Sequence, residues 1–334
     1  MTDKSIALNS TPGRLDYDNA LLMTEDEIRR QLKGTPAVIR RQMSHLARAV
    51  GKNIRARVLL ASAVCSDGMI NSDAVKIAAA IELLHLATLV HDDIIDNAAK
   101  RRGIEALNKK FGEKSAVLCG DYLFCLAFQL AATISVQEDR KDSLDNVLPG
   151  YLTDICLGEL RQSQNNYNYR LSEREYFKTI SGKTGALFEA SFYSGFLFSD
   201  EPDSMKNDYI KIGSSIGIIF QLADDCADYE ASQRTTKKPV LSDFRQGVIT
   251  LPLIFALKAD SKLRERISEG IDPRKLKSAV KAAGGLSYTH IIISNYYNES
   301  KNLIASLDIA PGKKARLTSL LEKAAGVTAQ QTAN

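Results

Sequence analysis

Two acidic clusters are the residues best suited to chemistry: Asp92-Asp93-Ile94-Ile95-Asp96, inside LVHDDIIDNAAKRRG, and Asp224-Asp225-Cys226-Ala227-Asp228, inside IIFQLADDCADYE. Each reads D-D-x-x-D. On an α-helix, residues i and i+4 lie about 40° apart around the axis, so Asp92 with Asp96, and Asp224 with Asp228, present two carboxylates one turn apart. Both clusters follow apolar stretches. Carboxylates gathered at the wet end of a buried helix repel one another unless a cation compensates. Hard oxygen ligands suit Mg²⁺, which seldom receives an all-protein cage and takes a few carboxylates, water and substrate phosphates. One such cluster could be a solvated face; two identical ones, each closing an apolar helix, point to metal and phosphate chemistry.

Cations stand where a diphosphate would need them. Arg101 and Arg102 follow the first cluster, and Lys52 and Arg55 precede it in VGKNIRARVLL. Lys183 and Thr184 sit in SGKTGAL, and Lys237 and Lys238 follow the second cluster. Arginine forks take phosphate oxygens in pairs, while lysine supplies a compact charge. GKT also resembles the end of a phosphate loop, but position 177 is Phe where that motif needs Gly, and no strand signal precedes it. His85 lies two helical turns before Asp92 on almost the same stripe, which joins it to the candidate site. His91, adjacent to the acids, is at best a supporting residue; His45 and His290 have no helpful neighbours in sequence.

The elements that must position these groups read as helices. Thr35-Pro36 is an N-cap residue followed by proline at the first helical position, predicting a helix to about residue 50. Ser72-Asp73 starts a second helix running toward Asp96. Residues 115–134 are almost wholly apolar, as a helix buried on most sides would be. Residues 146–160, 173–198 and 206–229 follow as helices, and Pro252 argues that 247–256 turns into a further buried helix. Strand signals are too few for a sheet. The expected class is all-α, a single-domain bundle of about ten or more helices spanning residues 18–326, between a flexible stretch 1–17 and a flexible tail 327–334.

Composition agrees. In 334 residues, 44% are hydrophobic and 25% charged, which fits neither a disordered nor a fibrous chain. A net charge of +4 over this length does not suggest a nucleic-acid binder. Five cysteines without a C-x-x-C pair read as reduced packing thiols. No apolar run reaches about 18 residues, so no transmembrane segment is expected. The first residues lack the apolar core of a signal peptide, and the expected location is cytoplasmic.

With these motifs in hand, residues 35–325 resemble the trans-polyprenyl diphosphate synthase family. The matching stretches are GKNIR, HDDIIDNAAKRRG, FGEKSAVLCGDYLF, GEL, GKTGALF, FQLADDCADY and KKPVLSDFRQGVITLP, in the family's order and spacing. The resemblance implies an all-helical fold around a central deep hydrophobic cavity, usually a homodimer, although some long-chain synthases need a different small partner subunit. It implies a prenyltransferase of isoprenoid biosynthesis, moving alkyl groups other than methyl: isopentenyl diphosphate is condensed repeatedly, head to tail, onto an allylic diphosphate. It further implies Mg²⁺, three ions per active site. Asp92, Asp96 and Asp224 would hold these ions, with Asp93, Asp225 and Asp228 supporting directly or through water. Arg101, Lys183, Thr184, Gln221 and Lys238 match allylic-diphosphate contacts. Lys52, Arg55, His85 and Arg102 match the isopentenyl-diphosphate site. Asp92, Asp96, Asp224, Lys183, Thr184 and Gln221 would carry catalysis. No side chain is an evident base for the final deprotonation, so the departed diphosphate is read as that base.

Three departures stand out. Asn53 replaces a frequent arginine, Ala56 a frequent proline and Val248 a frequent lysine, while Lys237 replaces a usual glycine. Product length should follow from where the cavity is blocked. Family members that stop early carry a bulky aromatic just before the first cluster; here those positions are Ala87 and Thr88. Leu84 and Ile81 come next, about one 5.4 Å turn apart, so an open floor and products of about C30 to C50 are expected. LLHLATLVHDDIID most resembles long-chain members of hepta- and octaprenyl type. A long product must leave into lipid, which leaves transient membrane contact for product release open, although the sequence offers no strongly basic amphipathic helix. The alternatives are a short-chain farnesyl or geranylgeranyl diphosphate synthase, a terpene cyclase of similar fold and a non-catalytic subunit. The second D-D-x-x-D and the isopentenyl-diphosphate set argue against the cyclase, and the survival of both acidic motifs argues against a non-catalytic subunit.

Overall fold

The computed structural model describes residues 13–49, 51–134, 138–230 and 241–326. Its helices, in chain order, are α1 Tyr17–Lys33, α2 Arg40–Leu46, α3 Ile54–Ser62, α4 Asp73–Ile95, α5 Leu107–Phe111, α6 Glu113–Ala131, α7 Glu138–Gln164 and α8 Glu173–Ile180. They continue with α9 Ala186–Leu197, α10 Lys206–Glu230, α11 Ser242–Arg245, α12 Leu251–Ala259, α13 Leu263–Ser268, α14 Pro273–Ala282, α15 Gly285–Ser306 and α16 Pro311–Ala324. Four two-residue strands, β1 Arg14–Leu15, β2 Ile70–Asn71, β3 Lys100–Arg101 and β4 Ile104–Glu105, form the pairs β1–β2 and β3–β4. The all-α expectation holds.

The chain divides into two compact units whose segments interleave along the sequence. The first comprises residues up to 145 with 193–203 and 309–313; the second comprises 146–192, 204–308 and 314 onward. In the first unit, α4 is the central helix, packed by α1, α3 and α6. Ala74, Ile77, Ala78, Ile81 and Leu84 are closed off from solvent on it. By length and composition α4 could cross a membrane, but two-thirds of its apolar window is buried in protein, as in a core helix. Gly120 lets α6 approach closely: a Cβ there would lie 2.2 Å from the His91 ring on α4. In the second unit, α10 packs on α8, α12 and α15.

Local differences from the sequence reading have physical causes. Thr35 does not cap a helix; its hydroxyl donates to the Leu32 carbonyl, Pro36–Ile39 form a turn, and α2 begins only at Arg40. Arg14 and Leu15, inside the stretch expected to be flexible, pair with Asn71 and Ile70, and Leu15 is buried. Residues 1–12 and the tail 327–334 lie outside the described residues. The predicted helix 173–198 is interrupted by a π-helical turn, Ser181–Gly185, a form that concentrates at functional sites. Helix α8, not a strand, leads directly into this turn, unlike a phosphate loop. Pro252 does open a buried helix, α12. All five cysteines are free thiols.

Candidate active site

Each acidic cluster divides into carboxylates at the surface and carboxylates tied into the protein. On α4, Asp92 is half-buried and Asp96, the C-cap, is exposed. Asp93 points inward and is 3% exposed, and Arg101 holds it through Nε at 2.7 Å and Nη2 at 2.6 Å. Burial keeps the Asp93 carboxyl above the usual carboxylate range, against the pull of Arg101. On α10, Asp224 is exposed. Asp225 is 1% exposed and accepts from the Tyr176 hydroxyl and, at 2.8 Å, from Gln221 Nε2. Burial raises it to about 7, with Tyr176 and Gln221 opposing. Asp228 accepts from the Ser242 backbone at 3.0 Å, its hydroxyl at 3.2 Å and the Asp243 backbone at 3.2 Å, so it caps the start of α11. The structure thus gives Asp93, Asp225 and Asp228 tethering partners of their own.

Among the described residues, no three His, Cys, Asp or Glu side chains converge closely enough to hold an ion unaided. Asp92 with Asp96, and Asp224 with Asp228, are pairs of hard oxygen donors one helical turn apart. Such partial sets fit Mg²⁺, which completes its shell with water and phosphate oxygens.

Gln221 links the second cluster to the π-turn, because the Thr184 hydroxyl donates to Gln221 Oε1 at 2.7 Å. Lys183 Nζ meets Glu159 of the GEL stretch at 3.0 Å. Helix α7 reaches this turn through Gly158, where a Cβ would lie 2.3 Å from the Lys183 nitrogen and 2.8 Å from the Gly182 carbonyl carbon. Asp225, Gln221, Thr184, Lys183 and Glu159 therefore stand in one supported chain. Lys237 and Lys238 lie outside the described residues.

Four cationic or basic residues predicted for the other substrate gather within the first unit. His85 and Arg102 line one cavity of about 60 Å³ with Gly51, Asn53, Glu82 and Glu25, room for roughly two waters. Burial lowers the Arg55 guanidinium to about 10, with nearby Arg102 adding to the shift and Glu82 opposing it. Burial, then Arg55, Arg102 and Arg101, push His85 well below the ordinary histidine value, so it is neutral here. Lys52, between the lining residues Gly51 and Asn53, is exposed.

Two of the departures acquire reasons here. Asn53 adopts φ 47°, the left-handed region that asparagine tolerates better than other side-chain-bearing residues. Ala56 donates its backbone N–H to buried Glu82 Oε1 at 2.9 Å, a donor that proline lacks. Burial raises the Glu82 carboxyl, against that N–H and the two guanidiniums. Glu82 was not singled out from sequence; its place one turn before His85 is the signal that could have found it.

A hairpin also escaped the sequence reading. Lys100 pairs with Glu105 and Arg101 with Ile104, leaving Arg102-Gly103 as a two-residue loop with φ 49° and 83°. Two consecutive positive φ values mark the hairpin turn whose twist matches its strands. Arg102 bears left-handed strain so that its guanidinium lies over Gly51, where a Cβ would meet it at 2.4 Å, and donates to the Ala49 carbonyl at 3.2 Å. The residues expected to set product length are tightly packed: Ile81, Leu84 and Ala87 are 0, 2 and 0% exposed, and the Thr88 hydroxyl donates to the His85 carbonyl at 2.8 Å.

The sequence profile of one known family, Polyprenyl synthetase, matches residues 36–283. The chain is a member of the polyprenyl synthetase family. It is therefore a prenyltransferase. A short chain isoprenyl diphosphate synthase of Methanothermobacter thermautotrophicus is 32% identical over 304 residues, 88% of this chain and 92% of the relative. Heptaprenyl diphosphate synthase component 2 of Geobacillus stearothermophilus is 29% identical over 303 residues, 89% and 91% of the two chains. Among solved structures, a polyprenyl synthase from Caulobacter crescentus, complexed with calcium and isoprenyl diphosphate, superposes with a TM-score of 0.78. It is 27% identical, and the match covers 95% of this chain and 98% of that one. This polyprenyl synthetase thus shares its fold and most of its length with both short-chain and long-chain enzymes.

Proposed function

We propose that this chain is an all-trans polyprenyl diphosphate synthase, condensing isopentenyl diphosphate head to tail with an allylic diphosphate and making long-chain products. The observation that carries this reading is the division of labour within both D-D-x-x-D clusters. Asp96 and Asp224 stand exposed and Asp92 is half-buried, while Asp93 and Asp225 are buried and they and Asp228 are held by Arg101, Tyr176, Gln221 and the start of α11. That is how a site is built when its cations arrive with the substrate's diphosphate. Bound Mg²⁺ would stabilise charge on the departing diphosphate. The calcium and isoprenyl diphosphate named with the Caulobacter structure are in keeping with such a pairing.

The chain's own groups have separable tasks. Lys183, steered by Glu159, and Thr184, steered by Gln221, bind and orient the allylic diphosphate. Arg101 shares its charge between Asp93 and that diphosphate, and Lys238 is expected to join it. Lys52, Arg55, Arg102 and neutral His85 hold isopentenyl diphosphate; their excess positive charge over Glu82 suits a polyanion. Apolar helix walls exclude water from the allylic cation, which would otherwise be captured as an alcohol. Small side chains at Ala87 and Thr88 support a long product over a short one.

Two copies of the chain are the proposed assembly. On α6, Val117 and Leu118 are exposed apolar residues, as are Leu157 and Leu160 on α7, and a second copy would cover such faces. One relative is named as component 2 of a heptaprenyl diphosphate synthase, so a different partner chain is the competing occupant. Free thiols throughout favour a cytoplasmic enzyme.

The deciding experiment incubates purified protein with Mg²⁺, labelled isopentenyl diphosphate and, in turn, geranyl, farnesyl and geranylgeranyl diphosphate, then sizes the lipids formed. Long linear products support the reading. Products stopping at farnesyl or geranylgeranyl length convert it to the short-chain alternative. Cyclised hydrocarbons without elongation overturn it.

A further inference from the structure

A second cationic cleft lies in the first unit, lined by none of the residues assigned to substrate or metal. Arg40, Arg41, Ser44 and Arg48 come from α2 and the turn that follows it, and Lys110 and Phe111 from α5; with Ala37 and His45 they enclose about 440 Å³. Arg40, Arg41 and Ser44 lie on one side of α2, with Ala37 in the turn before it and Arg48 in the turn after it. No carboxylate lines the cleft. Among the described residues, Arg40, Arg41, Arg48 and Lys110 take part in no salt bridge.

The cleft has internal support. His45 is 6% exposed; its Nε2 donates to the Glu105 carbonyl at 2.8 Å, which leaves Nδ1 to accept from Lys110 Nζ at 3.0 Å. The Phe111 ring meets the His45 ring edge-on at 5.7 Å, and the Lys110 ammonium lies 5.7 Å from the Phe111 centroid. A buried imidazole therefore holds an unneutralised ammonium at the cleft.

Beside these cations the chain exposes apolar surface. Val38 is 88% exposed, more than any other large hydrophobic among the described residues, and Pro36 and Ala37 in the same turn are also exposed. A soluble phosphate ligand would account for the arginines but not for the bare valine. A lipid surface accounts for both, because anionic head groups attract the cations while an apolar side chain enters the acyl boundary.

We propose that this face docks on a phospholipid bilayer carrying anionic head groups, with Arg40, Arg41, Arg48 and Lys110 taking the phosphates and Val38 inserted between them. The biological sense of the contact rests on the reading above, in which the product is a lipid that must leave the protein.

The test uses the full chain without substrate, sedimented with vesicles of phosphatidylcholine alone or of equal parts phosphatidylcholine and phosphatidylglycerol. Binding is expected to the mixed vesicles only, and to weaken with salt. Each surface arginine contributes about fivefold to such binding, so the triple variant R40A/R41A/R48A should bind roughly 100-fold more weakly. Val38→Asp should weaken it independently, leaving helix content and turnover with short soluble substrates unchanged. Equal binding to both vesicle types, or wild-type binding by both variants, overturns the proposal. So does inorganic pyrophosphate binding to wild type and not to the triple variant when neither vesicle is bound. Vesicle binding by a protein that condenses no isoprenoid would sink the functional reading and leave this surface standing.

Discussion

Replacing Gly158 by alanine tests whether helix α7 sets the position of the π-turn that carries Lys183 and Thr184. The added Cβ would stand 2.3 Å from the Lys183 nitrogen, 2.8 Å from the Gly182 carbonyl carbon and 2.9 Å from the Lys183 Cα, where ordinary contact begins at 3.4 Å. All three are backbone atoms, so no side chain can swing aside, and helix and turn must part by about 1 Å. Overpacking of this kind costs about 1–3 kcal/mol. A displacement of about 1 Å at a substrate-positioning group can cost roughly 100-fold in rate. The Glu159 contact to Lys183 would stretch by the same movement. Gly150, on the same helix, is the control: a Cβ there meets nothing within 4 Å. Gly150→Ala should leave activity intact and could gain up to about 1 kcal/mol from helix propensity. Steady-state condensation kinetics and denaturant unfolding on both variants would decide. Gly158→Ala with wild-type kcat, wild-type KM for the allylic substrate and unchanged stability would refute the role given to this contact.

Three further outcomes are expected. Asp92→Ala and Asp224→Ala should each remove most turnover with far-ultraviolet circular dichroism unchanged; near-normal turnover in both would refute the metal assignment. Ala87→Phe should shorten the product seen by lipid chromatography, and since position 87 is fully buried it should also cost about 1–3 kcal/mol of stability; an unchanged product length would count against the floor. His85, buried beside Arg55, Arg102 and Arg101, stays neutral in the folded protein as pH falls, whereas in the unfolded chain it protonates near pH ~6.5. Below that pH the unfolded state binds the extra proton, so this group should subtract about 1.4 kcal/mol of stability per pH unit until the folded histidine also protonates. Denaturant midpoints between neutral and mildly acid pH should therefore fall less for His85→Gln than for wild type; identical slopes would show that His85 is not held neutral.

Much of the site was legible because its chemistry is local in sequence. Asp92 and Asp96, or Asp224 and Asp228, are one helical turn apart wherever the chain is helical, and the apolar runs before them place that turn at a helix end. The all-α class followed from the same periodicity. What stayed illegible depends on partners distant in the chain. Nothing near Asp225 announces Tyr176, 49 residues earlier, as its donor. His45 has no useful sequence neighbour, yet it meets Lys110 across 65 residues. Backbone detail was hidden as well. The positive φ at Arg102 and the π-turn at Ser181–Gly185 are responses to packing that no residue-by-residue preference encodes.

The sequence by itself determined the family, the helical class and which acids and bases are available, because helix periodicity and donor chemistry are properties of short segments. Only the tertiary structure decided which carboxylate in each cluster is buried against a partner and which faces solvent. It alone decided why Ala56 serves better than proline, and that a run of unneutralised arginines shares a cleft with a buried histidine. Burial and hydrogen-bond satisfaction depend on what the rest of the chain brings alongside, and that is settled only when the helices pack.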